Sequence, residues 1–177
     1  MKKKEAISLF REMMNGIVDL DKVVPYLESI GYFTAPASTK YHLSHEGGLF
    51  EHSVHVTDEL IRLTDALGLK WENKKSPWII GMFHDLCKCD NYILTDFGYE
   101  YNKNTILTGH GNKSVMIAST ILPLTMEEVM CITFHMGAFT EKEEWSHYTE
   151  AIHKYPNVLW THTADMVAAH VMEEKHD

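Results

Sequence analysis

The clearest candidates for chemistry in this chain are two adjacent residues, His84 and Asp85. The pair lies in a short apolar segment, residues 81–88, that we expect to form a buried helix. Burying an imidazole and a carboxylate without partners costs free energy. Neighbours on a helix also point about 100° apart, so the two side chains cannot simply pair with each other. A group outside the helix must satisfy both, and a metal ion is the natural candidate.

Further candidate metal ligands recur along the chain. A single histidine at a helix end is more often a cap or a satisfied core group, so each is weak evidence alone. Asp165 has small and apolar neighbours, which is unusual for a solvated carboxylate. Several imidazoles and two carboxylates on separate apolar helices suit a divalent metal with mixed nitrogen and oxygen ligation. The candidate ligands are His52, His84, Asp85, His110, His135 and Asp165.

Helical periodicity dominates the elements that must position these residues, and it predicts a single all-α domain over residues 1–177. Within it, residues 1–31 form N-terminal helices and the core spans about 41–169. Residues 32–45 are expected to form a loop, and residues 90–111 an irregular segment or a short hairpin. The predicted helices cover residues 4–14, 19–30, 47–68, 76 to 86 or 88, 112–121, 125–136, 146–154 and 157–174.

Local signals mark several helix ends. Gly68 is placed to end the long helix, and Ser76-Pro77 predicts an N-cap followed by a first-turn proline. Thr125 and Glu128 have the spacing of a capping box.

Composition limits the classes of function. The chain has 177 residues, 45% of them hydrophobic, which suits a globular fold. Its formal charge of −9 argues against an extended nucleic-acid footprint. No stretch is long enough to span a membrane. The apolar run that follows Met1-Lys2-Lys3-Lys4 breaks at Arg11-Glu12, too soon for the apolar region of a signal peptide. Three cysteines without framework spacing indicate a reduced, cytoplasmic setting.

The order His52, His84-Asp85, His110, His135, Asp165 resembles the HD-domain superfamily of metal-dependent phosphohydrolases. Two local strings carry the resemblance further: Gly47-Gly48-Leu49-Phe50-Glu51-His52-Ser53 is similar to the first-histidine helix of several branches, and Phe83-His84-Asp85-Leu86-Cys87-Lys88 to the His-Asp-x-x-Lys helix. The resemblance covers residues 41 to 169. Small single-domain HD hydrolases and the HD domains of 3′-to-5′ exoribonucleases are the most similar branches.

The resemblance implies an all-α HD bundle and a site for one or two divalent ions (Mn, Fe, Ni, Co, Mg or Zn). It implies that His52, His84, Asp85 and Asp165 hold the first ion. His110 and His135 would hold a second, with Asp85 bridging. Related sequences often have two adjacent histidines where this chain has His135-Met136, which leaves the number of ions open.

Catalysis in this interpretation rests on Asp85 and Lys88. Metal ligation by Asp85 would help to lower the pKa of a bound water and to neutralise charge during in-line displacement. Lys88 lies one turn after His84, on the same helix face, and its ammonium could reach a phosphate oxygen. The alternative for Lys88 is a solvated helix end favoured by the helix dipole.

A second phosphate-binding segment is predicted at Gly109-His110-Gly111-Asn112-Lys113-Ser114. Gly109 and Gly111 allow a close backbone approach, the following helix offers free N–H groups, and Lys113 and Ser114 add a charge and a donor. The alternative is an ordinary glycine-rich helix entry with a solvated lysine.

The remaining histidines receive weaker predictions. His42 and His45 precede the long helix and could line the substrate pocket or act on the leaving group, and His45 is a candidate substrate-binding residue. His55 and His162 lie one turn from His52 and Asp165 and could orient those ligands, with a solvated or capping role as an equal alternative for each. Four histidines are expected at the surface: His147, His153, His170 and His176.

These observations favour a phosphohydrolase that cleaves a small phosphate ester, a nucleotide or a related monoester or diester, by metal-activated water. Two alternatives stay open within the superfamily: a nuclease for RNA or single-stranded DNA, and a di-iron oxygenase. A catalytically inactive scaffold is disfavoured because the core ligand set is intact. The expected partner is a small phosphorylated molecule, with no membrane, no extended nucleic acid and a possible homodimer.

Overall fold

The computed structural model describes residues 1–107 and 109–173, and these fold into packed helices with one short antiparallel hairpin. The prediction of an all-α fold with a hairpin near residues 90–110 is confirmed. His176, expected at the surface, lies outside the described residues. The elements are α1 (Lys3–Met13), α2 (Leu20–Ser29), α3 (Gly48–Leu67), α4 (Ser76–Phe83), α5 (Lys88–Asn91), β1 (Tyr92–Thr95), β2 (Gly98–Tyr101), α6 (Gly111–Ser119), α7 (Met126–Thr133), α8 (Trp145–Lys154), α9 (Asn157–Val167) and a π-helical turn over Ala168–Met172.

The N-terminal helices pack on the first half of α3 and on α4 through a cluster of aromatic rings. Phe10 of α1 lies at the centre of the cluster, with its ring centroid 5.6–6.4 Å from those of its neighbours. Edge-on and tilted contacts of this kind add to the free energy gained by burying the rings. The neighbours are Tyr32, Phe33, Phe50 and Phe83. The cluster therefore holds both α3 and α4, which supply the central site residues.

A second hydrophobic core is centred on helix α3, which packs against α4 and α9. Its contact with α4 is very close at Gly81, since a Cβ there would lie 2.3 Å from Oγ1 of Thr57. The end of α3 is formed as predicted, with Gly68 in the left-handed region at φ 63°. No helix among the described residues is both long and apolar enough to cross a membrane.

The start and the end of α4 differ from the sequence expectation. Lys75 is the N-cap, and Ser76 is the first helical residue, whose hydroxyl donates to Oε1 of Glu128 at 2.8 Å. Helix α4 ends at Phe83, and the chain then continues through a run of turns in which the Lys88 N–H donates to the Asp85 carbonyl. His84 and Asp85 consequently lie just beyond the last residue of the helix, with the His84 N–H still donating to the Ile80 carbonyl at 2.9 Å.

The capping box of α7 forms as predicted. The Glu128 N–H donates to Oγ1 of Thr125 at 3.2 Å, and the Thr125 N–H donates to Oε2 of Glu128 at 2.8 Å. Glu128 is fully buried, and its other oxygen accepts from Ser76 of α4. The cap therefore also ties α7 to α4, which carries His84 at its end.

Candidate metal centre

The candidate ligands from α3, the turn after α4, and α9 converge on one point. Nε2 of His52 lies 3.0 Å from Oδ1 of Asp165 and 3.5 Å from Oδ2 of Asp85. Nε2 of His84 lies 3.4 Å from both Nε2 of His52 and Oδ2 of Asp85. The two histidines and Asp85 are almost completely buried. Four side chains from three separate segments of the chain thus direct nitrogen and oxygen atoms to a shared centre.

Two more predicted ligands, His110 and His135, lie next to the other carboxylate oxygen of Asp85. Nε2 of His110, at the start of α6, lies 2.7 Å from Oδ1 of Asp85. Nε2 of His135, just beyond α7, lies 3.4 Å from the same oxygen. That nitrogen is buried and makes no hydrogen bond with any described residue. Asp85 therefore lies between two overlapping groups of ligand atoms.

Backbone carbonyls behind the rings orient two of the histidines. Nδ1 of His84 donates to the Gly81 carbonyl at 2.9 Å, and Nδ1 of His135 donates to the Ile132 carbonyl at 2.7 Å. Since a carbonyl only accepts, the proton of each neutral ring lies on Nδ1, and Nε2 keeps its lone pair toward the centre. This arrangement is the one expected of metal-ligating histidines.

His52 is held from behind by a residue that the sequence analysis missed, Glu173. The two Glu173 oxygens lie 3.0 and 3.2 Å from Nδ1 of His52, and one of them lies 2.8 Å from Nδ1 of His55. His55 therefore shares the Glu173 carboxylate with His52, and its predicted orienting role would act through that carboxylate. Local pattern gives no signal for Glu173, because it follows the π-helical turn Ala168–Met172 and not a continuous α-helical face.

His162 lies behind His135. Its Nδ1 donates to the His135 carbonyl at 2.8 Å, and its ring lies against Gly137, where a Cβ would approach it to 2.5 Å. His162 was predicted to orient Asp165 but contacts the backbone of another ligand instead. Gly137, with φ 53°, provides the space for that contact.

The donor set fits a divalent metal ion. Atoms of three or more histidine, aspartate or glutamate residues lie within 4.8 Å of one another in several overlapping groups of described residues. The buried Nε2 of His135 makes no hydrogen bond with any described residue, and a bound cation would give it a partner. Mixed imidazole and carboxylate donors suit Mn, Fe, Co, Ni or Zn. The groups are His52–His84–Asp85, His84–His135–Asp165, Asp85–His110–His135 and His42–His52–Glu173.

The carboxylates of the centre are strongly biased toward the ionised form. Burial alone would raise the pKa of Asp85, but Lys88 and the surrounding histidines hold it well below its usual range. Burial would likewise raise the pKa of Asp165, yet the hydrogen bond from His52 leaves it far below its usual range. Both groups therefore offer anionic oxygens at neutral pH.

The histidines respond differently according to their partners. Burial would lower the pKa of His52, but Asp165 and Glu173 raise it to about 9. For His110 burial dominates and lowers the pKa, despite the attraction of Asp85. His42 has its pKa lowered to about 4, chiefly by burial. The same carboxylate neighbours that favour a proton on His52 would favour a metal cation in its place.

A cavity of about 310 Å³ gives access to this centre. Its lining includes Asp85, Lys88, His110 and Asp165. Met136 also lines it, at the position where related sequences often have a second histidine. Aromatic rings form much of the remaining wall and rim: Tyr41, Tyr92, Tyr101 and Phe139. A neighbouring cavity of about 800 Å³ shares Tyr41, His42, Ala169 and His170 with it.

The predicted phosphate-binding segment does not join the cavity as expected. Lys113 is 1% exposed, and its ammonium donates to Asn91 and Thr105 at 2.6 Å and to Asp90. Oγ of Ser114 accepts the Cys87 N–H at 3.0 Å inside the core. These hydrogen bonds hold both side chains in the packed interior, and neither lines the cavity that contains Asp85.

The two glycines of that segment have backbone roles. Gly109 has φ 86° and lets the chain turn into α6. Gly111 lets α6 meet α7, since a Cβ there would lie 2.1 Å from the Thr133 carbonyl oxygen. Of the segment, only His110 lines the cavity that contains Asp85.

His45 lies in the larger cavity, away from Asp85. Its ring is half exposed, with Nε2 3.8 Å from Glu51, whereas His42 lines both cavities. Of the two loop histidines, the structure therefore brings His42 and not His45 next to the proposed ligands.

Comparison with known proteins adds one chemical indication. No family model matches the chain, and no solved structure matches it. A stretch of 67 residues is 37% identical to dihydroneopterin 2′,3′-cyclic phosphate phosphodiesterase from Methanocaldococcus jannaschii. The match covers 36% of this chain and 27% of that protein, so the chain spans about a quarter of its relative's length. This chain is thus similar over part of its length to an enzyme that cleaves a phosphodiester.

Proposed function

We propose that this chain is a metal-dependent phosphohydrolase of the HD superfamily, folded as a single HD domain, that cleaves a small phosphodiester. The observation that carries the proposal is the meeting of His52, His84, Asp85 and Asp165 beside the Lys88 ammonium, with Asp85, Asp165 and Lys88 lining one cavity. The partial similarity to a cyclic phosphate phosphodiesterase supports the choice of a diester.

In this proposal His52, His84, Asp85 and Asp165 hold a first divalent ion, and Asp85, His110 and His135 hold a second where one binds. A bound ion would supply Lewis acidity and lower the pKa of a water for attack on phosphorus. The protein's part is to fix the ligand atoms. Nδ1 donation by His84 and His135 keeps both Nε2 atoms available, and Asp85 presents one oxygen to each group.

Lys88 would bind a non-bridging phosphate oxygen. Its side chain is 8% exposed and lines the cavity, and Asp85 raises its pKa although burial opposes this, so the ammonium stays charged. Among the described residues that line the cavity, Lys88 is the one lysine, and there is no arginine.

The rim of the cavity favours an ester with a planar ring. Tyr41 is 86% exposed, and Tyr101 and Phe139 are each 67% exposed. Tyr92 and Tyr101 pack edge to face across the hairpin at 5.3 Å, so their rings form a braced wall. Exposed rings beside a polar floor are suited to stack on a heterocycle while its phosphate lies over Lys88. A nucleotide or a similar heterocyclic phosphodiester meets this description.

Two measurements test the proposal. Purified protein should retain a divalent metal, and with added Mn²⁺, Co²⁺ or Ni²⁺ it should hydrolyse guanosine 2′,3′-cyclic phosphate faster than the monoesters guanosine 2′- and 3′-phosphate. Glycerol 1,2-cyclic phosphate has the same five-membered ring diester without a base, and its KM should be at least tenfold higher.

The substrate comparison also separates the alternatives. Preferential cleavage of single-stranded RNA over the cyclic mononucleotide would favour the nuclease. Oxygen consumption by an iron-loaded sample would favour the oxygenase. A protein that binds no divalent metal and cleaves none of these esters would overturn the proposal.

A further inference from the structure

Helix α9 and its π-helical end contact His52 at both ring nitrogens. Oδ1 of Asp165 lies 3.0 Å from Nε2, on the side of the proposed ion. The Glu173 carboxylate lies 3.0 Å from Nδ1, on the opposite side. The ring is therefore held between two carboxylates that come from one continuous stretch of chain. The other histidines of the centre have no carboxylate there among the described residues: Nδ1 of His84 and of His135 donates to a backbone carbonyl, and Nδ1 of His110 lies 3.4 Å from Sγ of Cys87.

We infer that Glu173 is a positioning residue that orients His52 for metal binding and strengthens it as a ligand. The inference rests on the metal centre proposed above and adds a residue to it. A carboxylate that accepts the Nδ1 proton fixes the ring and raises the basicity of Nε2, and outer partners of this kind change metal affinity by about 10- to 100-fold.

The burial of Glu173 supports a specific role. Its side chain is 0% exposed, and burying a carboxylate is costly unless hydrogen bonds compensate. The compensation comes from two imidazoles, since His52 and His55 both donate to it. Glu173 is thus an anion set behind a proposed ligand.

The π-helical turn delivers Glu173 to this place. Residues Ala168–Met172 wind with the wider π spacing, and the Glu173 N–H donates to the Ala168 carbonyl at 3.1 Å. Turns of this kind often occur at functional sites, because the extra residue redirects the side chains that follow. Here the redirection places a carboxylate behind His52, eight residues after Asp165.

His55 completes the arrangement from α3. It lies one turn after His52, and its Nδ1 donates to the same Glu173 oxygen at 2.8 Å. His55 does not reach the proposed ion through any contact described here, so we expect it to act on His52 only through Glu173. Truncating either residue should therefore weaken metal binding, and the two effects should not add.

The test is the affinity for Co²⁺, measured by calorimetry and by the visible absorption of the bound ion. Glu173→Ala should weaken binding by about 10- to 100-fold and shift the absorption bands, because the His52 ring loses its support. Glu173→Gln should recover part of the affinity, since the amide oxygen accepts the Nδ1 proton without the negative charge. His55→Ala should weaken binding less, and the double variant should bind no worse than Glu173→Ala.

Glu51→Gln is the matched control. It removes the same charge from the residue next to His52, and its carboxylate faces His45 instead. Its Co²⁺ affinity should stay within twofold of wild type. If the control weakens binding as much as Glu173→Gln, the effect is one of net charge and the inference is overturned.

The outcomes separate this inference from the proposed function. Unchanged Co²⁺ affinity in Glu173→Gln and Glu173→Ala would overturn the role of Glu173 and leave the phosphohydrolase intact. Weakened binding in a protein that cleaves no phosphodiester would support Glu173 and overturn the proposed function. Wild-type protein that binds no Co²⁺ would overturn both. Should Glu173→Ala not fold, the isosteric Glu173→Gln decides: weakened binding supports the inference, and unchanged binding overturns it.

Discussion

The ammonium of Lys88 lies 2.6 Å from Oδ2 of Asp85, with the two side chains only 8% and 2% exposed. The other carboxylate oxygen, Oδ1, accepts from Nε2 of His110 at 2.7 Å. The two oxygens of Asp85 thus have different neighbours: Lys88 with the imidazoles of His52 and His84 beside Oδ2, and the imidazoles of His110 and His135 beside Oδ1. This division makes Asp85 the residue on which the electrostatics of the centre depend.

Lys88→Met should reduce phosphodiester hydrolysis without abolishing metal binding. The substitution keeps the length of the side chain but removes the one lysine charge from the described lining of the cavity. Losing a single charged donor to a transition state costs about 100- to 1,000-fold in kcat. The measurement is kcat with guanosine 2′,3′-cyclic phosphate, together with the Co²⁺ dissociation constant.

Lys22→Met, on the exposed face of α2, is the control and should match wild type. A Lys88→Met protein with wild-type kcat would show that the ammonium serves the fold and not the substrate.

Asp85→Asn should remove metal binding and turnover together. The amide keeps the shape of the side chain but supplies one neutral oxygen, while both proposed ligand groups need the anion. The change also leaves the Lys88 ammonium buried without its anion, and breaking such a pair typically costs about 3–5 kcal/mol of stability. Metal content, kcat and the free energy of unfolding of the metal-free protein are the measurements.

Asp65→Asn, on the exposed surface of α3, controls for the loss of a carboxylate. Normal metal content in Asp85→Asn would contradict the assignment of Asp85 as a ligand.

Much of the fold and the location of the centre could be predicted from local pattern. Apolar positions at helical spacing identified the helices, and Gly68 and the Thr125–Glu128 pair marked ends that form as expected. The six predicted ligands also come together, because each lies at or beside an apolar helix that must pack. Their roles as ligands stay a proposal.

Glu173 could not be assigned in the same way, for a physical reason. It lies near the polar end of the chain, followed by Glu174 and Lys175, and such a segment is typical of a solvated tail. Its burial depends on a change from α to π spacing, which leaves no mark in hydrophobic periodicity.

Lys113 shows the opposite error. A lysine beside two glycines suggested a phosphate contact, yet its partners Asp90 and Asn91 lie more than twenty residues earlier in the chain. Long-range pairing of a charge is not visible in local sequence. The same limit applies to Gly111, whose role depends on the backbone of α7.

Gly111→Ala should destabilise the protein through packing. The added Cβ would lie 2.1 Å from the Thr133 carbonyl oxygen and 2.5 Å from that of Ile132, so α6 and α7 must separate. Overpacking of this kind costs about 1–3 kcal/mol, more than the helix propensity of alanine returns. Urea denaturation of the metal-free protein measures the change.

Ser119→Ala, at the exposed end of α6, is the reference and should alter stability by less than about 0.5 kcal/mol. A Gly111→Ala protein as stable as wild type, but with raised KM, would restore the phosphate-binding interpretation of this glycine.

Asp90→Asn should lower stability at neutral pH and change its dependence on acid. The hydrogen bonds from Lys113 and Thr105 lower the pKa of Asp90 below its value in the unfolded chain. A lowered carboxyl pKa stabilises the fold above the unfolded pKa of about 4, and the contribution is lost as the pH falls through the folded pKa. Because Asp90 is half exposed, solvent screening limits the loss at pH 7 to about 1 kcal/mol.

The measurement for Asp90 is urea unfolding of the metal-free wild type and variant from pH 7 to pH 2.5. The gap in unfolding free energy should be constant down to about pH 5 and then close as the wild-type carboxylate gains its proton. Asp65→Asn is the control for the loss of an exposed carboxylate. A gap that widens with acid would mean that Asp90 gains a proton more easily in the folded protein than in the unfolded chain. That result would contradict the stabilising role given to its contact with the buried Lys113 ammonium.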